Sequence, residues 1–117
     1  MTATPELQPM TLWAATPDTP VALTDVSRER VRQVQKWGVQ TRPDGTSADL
    51  YEEMAYDAKQ LTDSRAADGS LTWVEILDEE VLEAFAEEDP DKLRTELVQV
   101  AAVALSWVED LDRKARA

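Results

Sequence analysis

The chain has 117 residues, enough for one ordinary domain of three or four helices, and its 24 acidic against 12 basic residues give a formal charge of −12. A hydrophobic share of 43% with 31% charged residues is that of a globular protein, and no apolar run approaches the roughly 20 residues that cross a bilayer. The absence of cysteine and histidine excludes disulfides, thiolate or imidazole metal sites, and Ser-His triads, so any catalysis must run on carboxylates, metal ions or lysine. The acidic excess opposes a sequence-independent grip on nucleic acid, which needs many cations facing phosphates. It is compatible with metal binding and equally with a basic partner.

The first twenty residues lack Lys and Arg and are broken by Pro5, Pro9, Pro17 and Pro20, so they do not read as a secretory signal and the expected location is the cytoplasm. Residues 1–22 are expected to form an extended or disordered arm, in which Trp13, with Met10 and Leu12, can dock on the body or on a second subunit. The remaining 23–117 form the folded domain.

A first helix is expected from Thr24 or Asp25 to Trp37, with Val31, Val34 and Trp37 as its buried stripe and Gly38 as its stop. Pro43-Asp44-Gly45 marks a loop. A second helix follows, with Leu50, Met54, Ala58 and Leu61 on one face, ending near Ala66 before Asp68-Gly69. Thr72-Trp73-Val74-Glu75 fits a capping box, which predicts a third helix from Trp73 to Glu88. Asp89 then caps a fourth, with Pro90 in its first position, running to about Arg113. No strand-like alternation competes, and the fold class is all-α.

The last two helices carry the chemistry. At about 100° per residue, Trp73, Ile76, Leu77, Val81 and Ala84 define the buried arc of the third helix. Glu80 falls inside that arc, Glu83 at its margin and Glu79 a little further out. In the fourth helix Glu96 falls between Val103 and Trp107 in a wide apolar arc. A buried carboxylate must take up a proton or find a cation, so acids in both arcs call for a reason. If the hairpin turns between Asp89 and Pro90, Glu83 matches Glu96 in height and Glu80 matches Gln99, about 10–15 Å from the turn at 1.5 Å per residue. Three carboxylates and one amide make an all-oxygen site that suits Mg2+ or Mn2+ and not zinc or copper. Glu75, Asp78, Glu87 and Glu88 are read as solvated helix charges.

Glu79-Glu80-Val81-Leu82-Glu83 followed by Glu96-Leu97-Val98-Gln99 resembles the EExxE…ExxD signature of MazG-like all-alpha NTP pyrophosphatases. Lys36-Trp37-Gly38-Val39-Gln40 and Pro43-Asp44-Gly45-Thr46 are similar to short members from actinobacteria and their phages. The resemblance covers roughly residues 24–113. It implies a four-helix, MazG-like bundle that assembles as a homodimer or homotetramer. The implied activity is Mg2+-dependent hydrolysis of nucleoside triphosphates to the monophosphate and pyrophosphate, and the analogy with phage members favours purine deoxynucleotides. It also implies that Glu80, Glu83, Glu96 and position 99 hold the metal while Glu79 joins a second ion or orients water. The sequence departs from the pattern at Gln99, where the family has Asp, which removes one formal charge from the ligand set.

With no histidine, the economical mechanism is a metal-activated water, with Glu79 as proton acceptor. Lys36 is the leading candidate for a phosphate contact, with Arg32 and Lys59 behind it. Trp37 and Trp73 have the ring area to stack on a base, and Gln40 the amide to recognise one. A different class of function, a non-catalytic acidic helical module such as an inhibitor or DNA mimic, explains the charge but not the acids inside the apolar arcs.

Overall fold

The structure is a computed structural model in which residues 15–117 are described; the Met10, Leu12 and Trp13 group lies outside them. The described residues form helices α1 (Thr19–Trp37), α2 (Ala48–Asp68), α3 (Trp73–Ala86) and α4 (Pro90–Arg116), with no strand among them. No helix among the described residues is long and apolar enough to cross a membrane. The chain divides into two compact units, one of residues up to Thr41 together with Val108–Ala117, the other Arg42–Trp107.

In the first unit, α1 begins at Thr19 and not at the expected Thr24 or Asp25, so residues 19–22, expected in the arm, belong to the helix. Pro20 is the reason. A proline in the first turn gives up an N–H that has no helical partner anyway, so it starts the helix instead of breaking it. Asp18 stands at the N-cap, but its carboxylate turns to α4, accepting from Arg116 at 2.8 Å and lying 3.6 Å from Arg113. The Thr16 and Thr19 hydroxyls donate to the buried Glu109 carboxylate, the latter at 2.7 Å. These polar contacts, with Ala22 fully enclosed, fix the start of α1 against the end of α4.

The stripe expected to bury α1 is instead exposed: Val31 is 53% accessible and Trp37 63%. Gly38 ends the helix as expected, its N–H bonded to Val34 O at 2.8 Å. Its φ of 73° with ψ of −176° sends the chain out extended, in a region open to glycine alone.

In the second unit, Ser47 caps α2 by accepting from Leu50 N–H at 3.2 Å, and Glu88, expected to be solvated, accepts from Ala48 N–H at 2.8 Å. α3 ends at Ala86, two residues before the expected Glu88. Gly69, with φ 80° and ψ 9°, closes α2 two residues later than expected. Ser47 N–H donates to Phe85 O at 2.8 Å, and Tyr51 meets Phe85 edge-on at 5.3 Å, joining the start of α2 to the end of α3.

The other end of the α2–α3 pair is tied by Glu75. Its carboxylate accepts from Thr72 N–H at 3.2 Å and from the Thr72 hydroxyl, and lies 3.3 Å from Arg65. Glu75 is therefore buried, in contrast to the solvated position expected of it, because a capping carboxylate folds back over its own helix end. Asp89 caps α4 through Lys92 N–H at 3.0 Å, and Pro90 holds the first helical position, both as expected.

Buried apolar residues among those described are Ala22, Ala58, Ala84 and Leu93, with no large side chain fully enclosed. Alanine at the contacts lets helix backbones approach closely while the larger apolar residues Leu50, Met54 and Leu61 of α2 remain exposed. The face expected to bury α2 thus contributes only Ala58 to the interior. Replacing Ser47 by alanine should destabilise the protein by about 1 kcal/mol through loss of the α2 cap, read as a lower urea midpoint with an unchanged slope.

Candidate metal centre

α3 and α4 run side by side, with Trp73 and Trp107 stacked at a centroid distance of 6.3 Å and the connecting residues 87–89 at the other end. Between these limits the side chains of Glu80 and Glu83 from α3 meet Glu96 from α4. One carboxylate oxygen of each lies within 4.8 Å of the other two, and all three residues are half-buried. The i, i+3 spacing on α3 puts its two acids on one face, and the hairpin brings Glu96 to their height.

Such an arrangement raises the cost of ionisation. Burial holds the Glu80 carboxyl above its ordinary 4.5, and the neighbouring Glu96 and Glu79 charges push it further. Burial likewise raises Glu83, followed by the charges of Glu80, Glu79 and Glu96, while Lys59 on α2 pulls it back. The field of Lys59, one of the predicted substrate-binding residues, reaches the cluster, although Lys59 also lies 3.8 Å from Asp63. Glu79 is half-buried and adds its charge to both α3 acids.

Gln99 completes the group. With its amide nitrogen turned toward the acids, it donates to Glu80 Oε2 at 3.3 Å and Glu96 Oε2 at 3.2 Å. With the carboxylates ionised and no cation between them, this orientation pairs donors with acceptors, whereas the opposite one sets the amide oxygen against carboxylate oxygens.

The other predicted substrate-binding residues fall in the first unit. Lys36 packs its ammonium over the Trp37 ring at 4.8 Å from the centroid. Trp37 and Gln40 line an open depression of about 460 Å3 with Arg30, Gln33, Gly38 and Val39. Arg30 and Gln33, part of the 29–33 segment that also resembles the short members, were not among the expected substrate contacts, although their i, i+3 and i, i+7 spacing from Arg30 to Gln33 and Trp37 places all three on one side of α1. Arg30 donates to Gln33 Oε1 at 2.7 Å. Arg32, by contrast, is engaged with Glu29. Comparison of the chain with family models, curated proteins and solved structures finds no match.

The donor set is all oxygen and its charges are close enough to share one ion, which fits a hard divalent cation such as Mg2+ or Mn2+. In metal-free buffer, Glu83→Gln should raise the melting temperature at pH 7, since it removes a charge the fold holds at a disadvantage. A carboxyl whose pKa is raised on folding contributes stability below its unfolded value and loses it as pH rises through the folded value. The advantage of the variant should therefore shrink as pH falls from 7 toward the ordinary carboxylate range, because native Glu83 takes up its proton before the unfolded chain does; a constant gap across that range would contradict the repulsion described.

Proposed function

We propose that the chain is a divalent-metal-dependent nucleoside triphosphate pyrophosphohydrolase of the MazG-like kind, converting a nucleoside triphosphate and water to the monophosphate and pyrophosphate. The observation that carries this reading is the convergence of Glu80, Glu83 and Glu96, from two helices, within 4.8 Å. Their match to the motif that the sequence resembles adds to it. Glu80, Glu83 and Glu96 would hold the cation, which when bound supplies Lewis-acid neutralisation of phosphate charge and a more acidic water. The purine deoxynucleotide preference rests on the resemblance alone.

The chain's own part in the reaction follows from its residues. Water attacks the α-phosphorus and the bond to the bridging oxygen breaks, so pyrophosphate leaves with the electron pair. Glu79, at the edge of the cluster, accepts the water proton on its carboxylate. Lys59 draws the polyphosphate toward the acids. Within the first unit, Trp37, Gln40 and Lys36 offer a ring, an amide and an ammonium, and their part in base and phosphate recognition rests on the sequence reading alone.

We further propose a homodimer or homotetramer. Support comes from the exposed apolar faces on α1, on α2 and on α4, where Leu97 and Val98 are about half accessible. A second copy is a self-complementary way to cover them.

The test is pyrophosphate release from a panel of ribo- and deoxynucleoside triphosphates with and without Mg2+. Turnover should require the cation and fall at least about a hundredfold in Glu83→Gln, the scale on which loss of transition-state charge stabilisation is felt. Asp78→Gln, on the exposed side of α3, should stay near wild type. Equal behaviour of the two variants would remove the cluster from the chemistry, and no release from any nucleotide would favour a non-catalytic acidic module. Light scattering at micromolar concentration should give a mass at least twice that of the chain, and a monomer would contradict the proposed assembly.

A further inference from the structure

Position 99 is where the chain parts from the motif it resembles, and the amide there does something an aspartate cannot. We propose that Gln99 is a displaceable clamp on the metal-free hairpin, not a ligand to the cation. This deepens the proposed metal site and rests on it.

The side-chain NH2 has two hydrogens, and its two acceptors are Glu80 Oε2 on α3 and Glu96 Oε2 on α4, at 3.3 and 3.2 Å. Each hydrogen thus serves one helix. The donors sit between two carboxylates that would otherwise face each other without compensation, and they attract the same electron pairs that a cation needs. An amide nitrogen with its hydrogens pointed inward repels a divalent ion. Cation entry must therefore displace it, and Gln99 is exposed, so the amide can swing into water at little cost.

An aspartate at this position would add a fourth negative charge, which favours the cation by ligand charge count but leaves the metal-free hairpin more strongly repelled. Glutamine reverses both effects. The centre of this chain is accordingly one that holds its shape when empty and fills with rising free Mg2+.

Calorimetric titration of the full-length protein with Mg2+ and with Mn2+ separates clamp from ligand. Gln99→Leu removes the competing donors and should bind the cation about fivefold tighter, the order expected for relief of one or two modest hydrogen bonds. Gln99→Asp should bind at least about tenfold tighter and melt lower than wild type without metal. Weaker binding by Gln99→Leu would make the amide oxygen a ligand, and affinity within about twofold of wild type would mean no competition; either overturns the clamp. Absence of binding by wild type and both variants, with melting curves showing all three folded, would instead sink the metal site on which the proposal stands.

Discussion

Repulsion among three half-buried glutamates is the constraint around which the second unit is arranged. Helix propensity alone would tolerate Glu80, Glu83 and Glu96 anywhere along α3 and α4, but an antiparallel hairpin with Asp89 and Pro90 at its turn leaves them no separate places. The interactions that hold the hairpin are at its ends: the stacked Trp73–Trp107 pair at one, the Asp89 cap at the other. Further ties run from α3 to α2 through Phe85 at one end and Glu75 at the other. With α3 tied near both ends, the acids cannot relax by sliding. What remains is partial protonation, donation from the Gln99 amide, or a cation.

The interior offers little to oppose this repulsion. Among the described residues the enclosed apolar ones are three alanines and one leucine, and burying an alanine removes far less apolar surface from water than burying a leucine or phenylalanine. Polar ties therefore carry an unusual share of the structure: Glu109 with two threonine hydroxyls, Asp18 with two arginines, Glu75 with its cap and Arg65. Meanwhile valines, leucines and Trp37 lie on outer faces. A chain so composed has its hydrophobic stabilisation still to collect, which is the physical ground for the proposed self-association.

The four helices and the meeting of Glu80, Glu83 and Glu96 were legible in the sequence because each rests on local chemistry. Capping residues, Pro90 at a first helical position and Gly69 at an end act within a few residues, and the height match across the turn needs only the rise per residue. What was not legible depended on which partner a face or carboxylate meets. Periodicity gave α1 and α2 an apolar side, but it says nothing about whether the same chain supplies a cover for Val31 or Met54. The same holds for Glu75 and Glu88. A count of charges treats both as solvated, while the structure uses one to fold back on Thr72 and Arg65 and the other to cap the neighbouring helix. Pro20 misled for a related reason, since a proline starts or ends a helix according to what precedes it.

Carboxylates in this chain separate into two kinds by the company they keep. Hydrogen bonding to Arg116 holds Asp18 below the ordinary carboxylate value, to Ser70 lowers Asp68, and to the Thr72 hydroxyl lowers Glu75. Their stabilising effect is present above the unfolded pKa and is lost as pH falls through the folded one. Glu80 and Glu83 have the opposite sign: burial and like charges raise them, and their ionised forms weigh against the fold as pH rises. A fold that only needed solubility would place such acids at the surface, as it does Glu52 and Glu53 on α2. Acids that satisfy neighbours maintain structure, whereas acids brought together against their own repulsion need a proton, a donor or a counter-charge. The hairpin contains one such place among the described residues, where a proton, the Gln99 amide or the proposed cation can relieve the repulsion.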